Sequence, residues 1–518
     1  MDVDAIRTWS RRQLGGAAGG LAAAVLGSRF VGPAAAASGE TSPKRNTGWH
    51  QATPEATSQP DIVVIVLDDM RWSDYSVMSL TQSLVGDEGI TFPNYMVTSP
   101  TCAPSRASFY RGQYAHNHDV GYGSDESSIW DLYHGTGLDE DTVAVWLHDV
   151  GYRTALIGKH MNQLKGLSEP GPGWDDWVVP RRLKPFNYEL SVNGKKEAHG
   201  DAEEDYLTDV LARKATEFIA STPEETPLFL YFAPKAPHKP VVPAPRHAGM
   251  FADVHLDQSG SFNEADMSDK PTNMQRSPLT PEEIALLDKL NQGRLESLQA
   301  ADEAVAQIIE ALEAAGRLEM TYVIFTSDNG YALGEHRDEG KSTPYEEAIR
   351  VGMMARGPQI PVGEINPALV ANIDLAPTFA EIAGAAIPDF VDGRSILGAL
   401  HGGESGRQAL LIEIDSSVGQ DDEDDEDAVV VDEKGHRIAG RVRSSWKGIR
   451  TADWTFVEWG VPAIDYELYD LHADPAQLQS LYADPAYAKT VDELATWLAT
   501  LADCAGETCR QAENGPPL

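Results

Sequence analysis

The sequence predicts an α/β fold: a large mixed, mostly parallel sheet with helices on both faces, followed by a small C-terminal α+β subdomain. Three observations predict it. Short β-branched apolar runs recur along the chain, each is followed by a cluster of polar residues, and amphipathic helical patterns fill the intervals. At 518 residues, 42% hydrophobic and 23% charged, the chain is long enough for one large domain and a smaller one.

Taken in order, residues 1–38 read as an export leader. Ser10-Arg-Arg-Gln-Leu14 has the form of a twin-arginine motif, a weakly apolar Gly/Ala-rich stretch follows, and small residues from Ala34 to Ala37 suit cleavage. The expected destination is the periplasm or the outside of the cell. Residues 39–60 have linker composition, rich in Thr, Ser and Pro without periodicity. Order begins at Asp61. Ile62-Val-Val-Ile-Val-Leu67 is too short for a helix and reads as a buried central strand that ends in Asp68-Asp69. The same grammar returns three times: Thr154-Ala-Leu-Ile157 runs into Gly158-Lys159-His160, Leu228-Phe-Leu-Tyr-Phe232 into a loop reaching His238, and Tyr322-Val-Ile-Phe325 into Thr326-Ser-Asp-Asn-Gly330. Open α/β sheets carry their ligand sites at the carboxyl ends of strands, so these polar groups are expected to converge.

Helical patterns over residues 141–149, 205–220, 281–318 and 375–382 complete a layered domain over residues 61–400. Residues 401–518 differ. They hold short strand-like pieces at 410–414, 447–450, 454–459 and 467–471 and a helix at 491–501, the α+β subdomain. Within it, Asp421-Asp-Glu-Asp-Asp-Glu-Asp427 reads as a solvated loop, lacking the Gly and spacing of a calcium-binding EF-hand.

Acidic residues number 80 against 41 basic ones, a formal charge of −39. That balance excludes nucleic acid and anionic membrane surfaces as partners, and no segment reaches the ~18 apolar residues of a membrane span. An anionic substrate must therefore be drawn by a local cationic pocket against the global field. Of three cysteines, Cys504 and Cys509 lie within a turn of bridging distance around Gly506, and whether they are bridged stays open. Cys102 is left over. It lies in Ser99-Pro-Thr-Cys-Ala-Pro-Ser-Arg-Ala-Ser-Phe-Tyr-Arg-Gly112, where the first residues feed a helix start and Gly112 can end the helix. Cys102 would then sit where unpaired backbone N–H groups favour an anion.

The strand-end residues Asp68, Asp69, Asp328 and Asn329 are all oxygen donors, which suits a hard cation such as Ca²⁺ over Zn²⁺. Two acidic strand ends in one sheet repel, and a cation between them is the simpler account. With that ion, Arg106, Lys159 and Lys341 make the pocket net positive, able to hold a monoanion. His116-Asn-His118 is spaced like a zinc pair but has no third ligand nearby in sequence.

Cys102-Ala-Pro-Ser-Arg106 matches the Cys-x-Pro-Ser-Arg signature of formylglycine-dependent sulfatases. The chain resembles that family over residues 61–510, most closely its N-acetylglucosamine-6-sulfatase branch. Further carriers of the resemblance are Tyr114-Ala-His-Asn-His118, Ser191-Val-Asn-Gly194, Asp205-Tyr-Leu-Thr-Asp-Val-Leu-Ala212, Thr326-Ser-Asp-Asn-Gly-Tyr331, Ala371-Asn-Ile-Asp-Leu-Ala-Pro-Thr378 and Cys504-Ala-Gly-Glu-Thr-Cys-Arg510.

The resemblance implies an alkaline-phosphatase-like sulfatase fold with its catalytic domain over 61–400, and oxidation of Cys102 to formylglycine by a formylglycine-generating enzyme. A thiolate that attacked sulfur would have no ready way to expel the sulfate, whereas a hydrated aldehyde ejects it as the aldehyde reforms. It also implies one Ca²⁺ held by Asp68, Asp69, Asp328, Asn329 and residue 102, with Arg106 steadying the modified residue. Lys159 and Lys341 would hold the sulfate oxygens, and His238, in Ala236-Pro-His-Lys-Pro240, would bind sulfate or protonate the leaving oxygen.

One stretch departs from the wider family. Many sulfatases have Gly-Lys-x-His, but Gly158-Lys-His-Met-Asn162 places Met161 at the His position, as suits the branch, and leaves the base open between His160 and Asn162. The implied substrate is a sulfated carbohydrate such as N-acetylglucosamine 6-sulfate, or an aryl sulfate. The competing readings are a broad arylsulfatase, a formylglycine-dependent phosphonate or phosphate-ester hydrolase, and a protein that only binds sulfated glycans. Specificity is expected to lie in loops such as residues 181–188 and 251–278.

Overall fold

The computed structural model describes residues 59–121, 129–162, 169–258, 260–415, 444–460 and 465–516. The export leader, the linker up to residue 58 and the acidic run 421–427 lie outside the described residues.

Ten strands form the main sheet: β1 (Asp61–Leu67), β2 (Ile90–Phe92), β3 (Arg153–Gly158), β4 (Asp176–Pro180), β5 (Glu189–Val192), β6 (Lys195–Ala198), β7 (Leu228–Ala233), β8 (Thr321–Ser327), β9 (Met353–Arg356) and β10 (Glu364–Ile365). Their order is β10-β2-β9-β8-β1-β7-β3-β4-β5-β6. The central strands β8, β1, β7, β3 and β4 run parallel, and antiparallel pairs flank them on either side. The four predicted apolar runs are β1, β3, β7 and β8 of this set, buried on both faces as their composition requires; β4 was not predicted.

The alternation along β1 shows how the layers form. Ile62, Val64 and Val66 point into one core, with α1 (Cys102–Arg111), α2 (Val143–Asp149) and α5 (Leu375–Ala383). Val63, Ile65 and Leu67 point into the other, with α3 (Leu207–Ser221) and α4 (Pro281–Ala314). Helices therefore cover both faces of the sheet. α4 starts at a capping box, in which Glu283 N–H donates to Thr280 Oγ1 at 3.2 Å and Thr280 N–H donates to Glu283 Oε2 at 2.8 Å. It runs unbroken to Ala314, a single helix over most of the 281–318 pattern.

The C-terminal subdomain is a four-stranded antiparallel sheet, β11 (Ala409–Ile414), β12 (Trp446–Thr451), β13 (Trp454–Trp459) and β14 (Asp465–Asp470), packed with α6 (Ala488–Ala502) around Trp446, Phe456 and Trp497. Cys504 and Cys509 are bridged. Among the described residues no helix is long and apolar enough to cross a membrane.

Candidate active site

Register brings the strand-end residues together. Leu67 of β1 pairs with Ser327 of β8, so Asp68 and Asp328 leave the sheet side by side, and Asp328 N–H donates to Leu67 O at 3.0 Å. Gly158 of β3 pairs with Ala233 of β7, and Lys159 N–H donates to Ala233 O at 2.8 Å. The loop after Ala233 folds back over the same edge, where Ala236 O accepts from Asp68 N–H at 3.2 Å. Gly158 is required there: its φ is +119°, and a Cβ would lie 2.0 Å from Ala233 O.

Cys102 opens α1, a helix buried along its whole length and closed by Gly112 in the left-handed conformation, as the sequence predicts. The loop bearing Lys341 is sewn to the residues just before it. Ser342 N–H donates to Pro100 O at 3.1 Å, and Ser342 Oγ lies 2.9 Å from Thr101 Oγ1. The Trp446 indole N–H donates to Ser342 O at 3.0 Å, so the small sheet braces this loop. Lys341 Nζ stands 2.7 Å from Cys102 Sγ and 2.5 Å from Asp69 Oδ1, and the thiol reaches Asp68 Oδ1 at 3.4 Å.

Each cation holds one carboxylate. Lys159 Nζ lies 2.7 Å from Asp68 Oδ2, Lys341 pairs with Asp69, and Arg106 grips Asp328 Oδ2 through Nε at 2.9 Å and Nη2 at 2.8 Å. Arg106 Nη1 also donates to Lys159 O at 3.0 Å and to Tyr231 Oη at 3.3 Å. His238 places Nε2 3.8 Å from Asp69 Oδ2 and bonds Lys239 O through Nδ1 at 2.5 Å. A carbonyl only accepts, so the proton sits on Nδ1 and the Nε2 lone pair faces the cluster. Asp68, Asp69, Cys102, Arg106, Lys159, His238, Asp328, Asn329 and Lys341 thus form one connected cluster, each at most 4% exposed.

The electrostatics follow from burial. Burial works to raise Asp68 and Asp69, yet Lys159 chiefly holds Asp68, and Lys341 Asp69, below the usual carboxylate range. Asp328 differs. Burial lifts it to about 6; Arg106 opposes the rise and Asp68 adds to it. Burial pushes the Cys102 thiol well up despite Lys159 and Lys341, so an unmodified thiol here is protonated at neutral pH and a poor nucleophile. Burial also takes His238 down to about 4, leaving it neutral.

Three buried carboxylates invite a cation, and the donor set fits one. Asp68, Asp69, Cys102 and His238 each offer a ligand atom, all within 4.8 Å of one another. Asn329 Nδ2 donates to Asp69 Oδ1 at 2.6 Å, while its Oδ1 is buried and accepts no hydrogen bond among the described residues. An orphaned amide oxygen beside carboxylates is what a hard cation uses. Asp328 stands one step back, its Oδ1 accepting Asp69 N–H at 3.2 Å.

Comparison with known proteins fits this geometry. The sulfatase family model matches residues 60–385. The chain belongs to the sulfatase family. It is 31% identical over 491 residues to the human N-acetylglucosamine-6-sulfatase, covering 88% of this chain and 86% of that protein. It is 35% identical over 350 residues to the extracellular sulfatase SULF-1 homologue of Drosophila melanogaster, covering 65% of this chain. The chain spans 31% of the length of that relative and 49% of a Caenorhabditis elegans homologue. A solved structure of a protein in complex with its substrate D-glucosamine-2-N,6-O-disulfate superposes with a TM-score of 0.69, at 24% identity, over 88% of this chain and 99% of that one.

Within this sulfatase fold other histidines have structural places. The His160 ring packs among Tyr110, Trp130, Tyr133 and Trp177, its Nδ1 is 3.3 Å from Tyr110 Oη, and burial takes it down to about 3. It is a core histidine. Asn162, the other candidate base, is buried in the same loop. His116 binds Glu413 and Cys504 O, while His118 lies 3.0 Å from Ser108 Oγ and accepts Val120 N–H, so the two do not form a zinc pair. Sequence reasoning missed Arg294, fully buried on α4, whose Nη2 donates to Asp69 O at 2.5 Å. A signal existed: Arg294 falls on the apolar stripe of α4 that includes Leu287, Leu290, Leu298 and Ala301, where a cation needs a buried partner.

Proposed function

We propose that this chain hydrolyses sulfate monoesters of sugars, N-acetylglucosamine 6-sulfate among them, after export through its twin-arginine leader. Cys102 is converted to formylglycine by a formylglycine-generating enzyme, and Asp68, Asp69, Asp328 and Asn329 hold one calcium ion with residue 102. The observation that carries this reading is the meeting of Lys341, Asp68, Asp69 and His238 around Cys102 Sγ in a buried pocket. The N-acetylglucosamine-6-sulfatase relative supports the sugar, and the Cys504–Cys509 bridge fits an oxidising compartment.

When bound, calcium supplies fixed positive charge to the sulfate oxygens, and formylglycine supplies an oxygen nucleophile able to release sulfate afterwards. The chain's own side chains do the rest. Lys341 and Lys159 place ammonium groups beside the reacting atoms in a buried pocket, where charge contacts are strong. Arg106 fixes Asp328 and the Lys159 backbone together. His238, with Nδ1–H held by Lys239 O, turns the Nε2 lone pair to the cluster, and only once that atom takes up a proton can it bind sulfate or protonate the leaving oxygen.

The test is inorganic sulfate release, read by ion chromatography, from N-acetylglucosamine 6-sulfate, another sulfated sugar and an aryl sulfate, using protein co-produced with a formylglycine-generating enzyme. The expected result is release from the glucosamine ester, lost on calcium chelation and lost in folded Cys102→Ser. Failure of the modified protein to release sulfate from any ester would overturn the reading in favour of glycan binding or phosphonate hydrolysis.

A further inference from the structure

Asp69 holds a backbone conformation that is uncommon for a residue with a Cβ. Its φ is +70°, in the left-handed region, which persists in such residues only where the surroundings fix it. Three contacts fix it here. Asp69 N–H donates to Asp328 Oδ1 at 3.2 Å, Met70 N–H donates to Ser327 Oγ at 2.9 Å, and Arg294 Nη2 donates to Asp69 O at 2.5 Å. The first two partners stand at the end of β8, and the third comes from α4 on one face of the sheet.

Arg294 is fully buried, so its charge acts at close range. The same Nη2 lies 3.4 Å from Asp74 Oδ2, a buried carboxylate in the short 3₁₀ helix Trp72–Val77 that follows Asp69. Asp74 Oδ2 also accepts Arg71 N–H at 3.0 Å, so the segment from Asp69 to Asp74 is pinned to α4 at both ends. Nη1 lies 3.5 Å from Pro237 O, next to His238, and the guanidinium carbon sits 4.6 Å from the centre of the Tyr331 ring, two residues past Asn329. One guanidinium thus touches the three segments that carry Asp69, His238 and Asn329. Among the described residues it bonds none of the cluster's side chains.

We infer that Arg294 is a positioning residue: by holding the Asp69 carbonyl it keeps that residue left-handed, aims its carboxylate at Lys341 and the cation pocket, and so sets how tightly calcium binds. The inference rests on the reading of the cluster as a calcium-dependent sulfatase site. Without the Arg294 bond the peptide after Asp69 is free to turn over and residue 69 relaxes to an ordinary φ. That swings the carboxylate away from Lys341 Nζ, which it meets at 2.5 Å in the intact site.

Two measurements test it. The first is calorimetric titration with calcium chloride of chelator-stripped protein, co-produced with a formylglycine-generating enzyme. Arg294→Met is expected to bind calcium about tenfold to a hundredfold more weakly, the usual cost of losing a group that orients a metal ligand. Arg294→Lys, which keeps a cation to bond Asp69 O, is expected to recover most of the affinity. Arg317→Met controls for stability alone: Arg317 is buried against Asp61 at the opposite end of β1, and its loss is expected to lower Tm and leave calcium affinity unchanged. Wild-type affinity in Arg294→Met, or an equal loss in Arg317→Met, overturns the inference. Should Arg294→Met not fold, Arg294→Gln takes its place, with weaker binding than Arg294→Lys expected and wild-type affinity overturning the inference.

The second measurement is the crystal structure of the metal-free wild type and of the folded neutral variant. In the variant residue 69 is expected to leave positive φ and its carboxylate to part from Lys341. An unchanged φ and contact overturn the inference whether or not an ion binds. A wild type that binds no calcium, with residue 69 displaced in the variant, removes the calcium reading alone and leaves the positioning role of Arg294 standing.

Discussion

Lys341 touches both the sulfur of Cys102 and a carboxylate of the candidate metal site, so its ammonium serves charge balance and chemistry together. Lys341→Ala is expected to lose at least ~2 kcal/mol of transition-state stabilisation, about thirtyfold in kcat/KM, because charge-assisted contacts to a buried anion are the strong ones. Steady-state kinetics on a sulfated sugar check it, and an unchanged rate removes Lys341 from the reacting centre. Apart from Lys341, which only the family resemblance pointed to, the clustered residues were legible in the sequence because each follows an apolar strand or falls within a recognised motif. Arg294 was not: the stripe it falls on marks it as buried, and only the tertiary fold shows that its partner is Asp69 O. His160 erred the other way: adjacent to Lys159 in sequence, it turns into an aromatic core because neighbours in an extended segment point to opposite sides.

At the scale of elements, the pairing of β3 with β7 carries Lys159 to the site, and Gly158 lets the strands approach. Gly158→Ala puts a methyl group against Ala233 O at a positive φ. The expected cost is about 3 kcal/mol of stability, with Lys159 displaced and activity lost in proportion, measured by denaturant unfolding and kinetics. A second element-level link joins the segment after α1 to the small sheet through His116 and Glu413. Burial lowers the His116 pKa, but the Glu413 carboxylate and the Cys504 carbonyl outweigh it and raise the group above its ordinary 6.5. A histidine raised on folding contributes stability that is complete below 6.5 and fades as pH rises through the higher folded value. Thermal unfolding is thus expected to show Tm declining as pH rises from 6.5, with a shallower decline in His116→Gln; parallel curves contradict it. The apolar central strands were legible from β-branched runs. The polar β6 lacks an apolar run, and the short antiparallel β9 and the short β10, parallel to β2, were not legible because their pairing is set by partners distant in sequence.

For the whole molecule, the formal charge of −39 sets a repulsive field for an anionic substrate, while the cationic side chains lie inside the site. Salt screens the long-range part far more than the buried contacts. kcat/KM for a sulfated sugar is therefore expected to rise as ionic strength goes from about 0.01 M to about 0.15 M, with kcat nearly constant; a steep fall would mean that exposed cations, not the buried ones, capture the substrate. The layered architecture was legible as alternating patterns, but the strand order was not, since it depends on which registers close. The register that aligns Leu67 with Ser327 is what makes one site from residues more than two hundred positions apart.

The central claim is that residue 102 works as an aldehyde. Mass spectrometry of the peptide spanning residue 102, from active protein made with a formylglycine-generating enzyme, tests it most directly. The account predicts a peptide in which CH₂SH has become CHO, in a fraction that rises and falls with sulfate release across preparations. An intact thiol in fully active protein would contradict it.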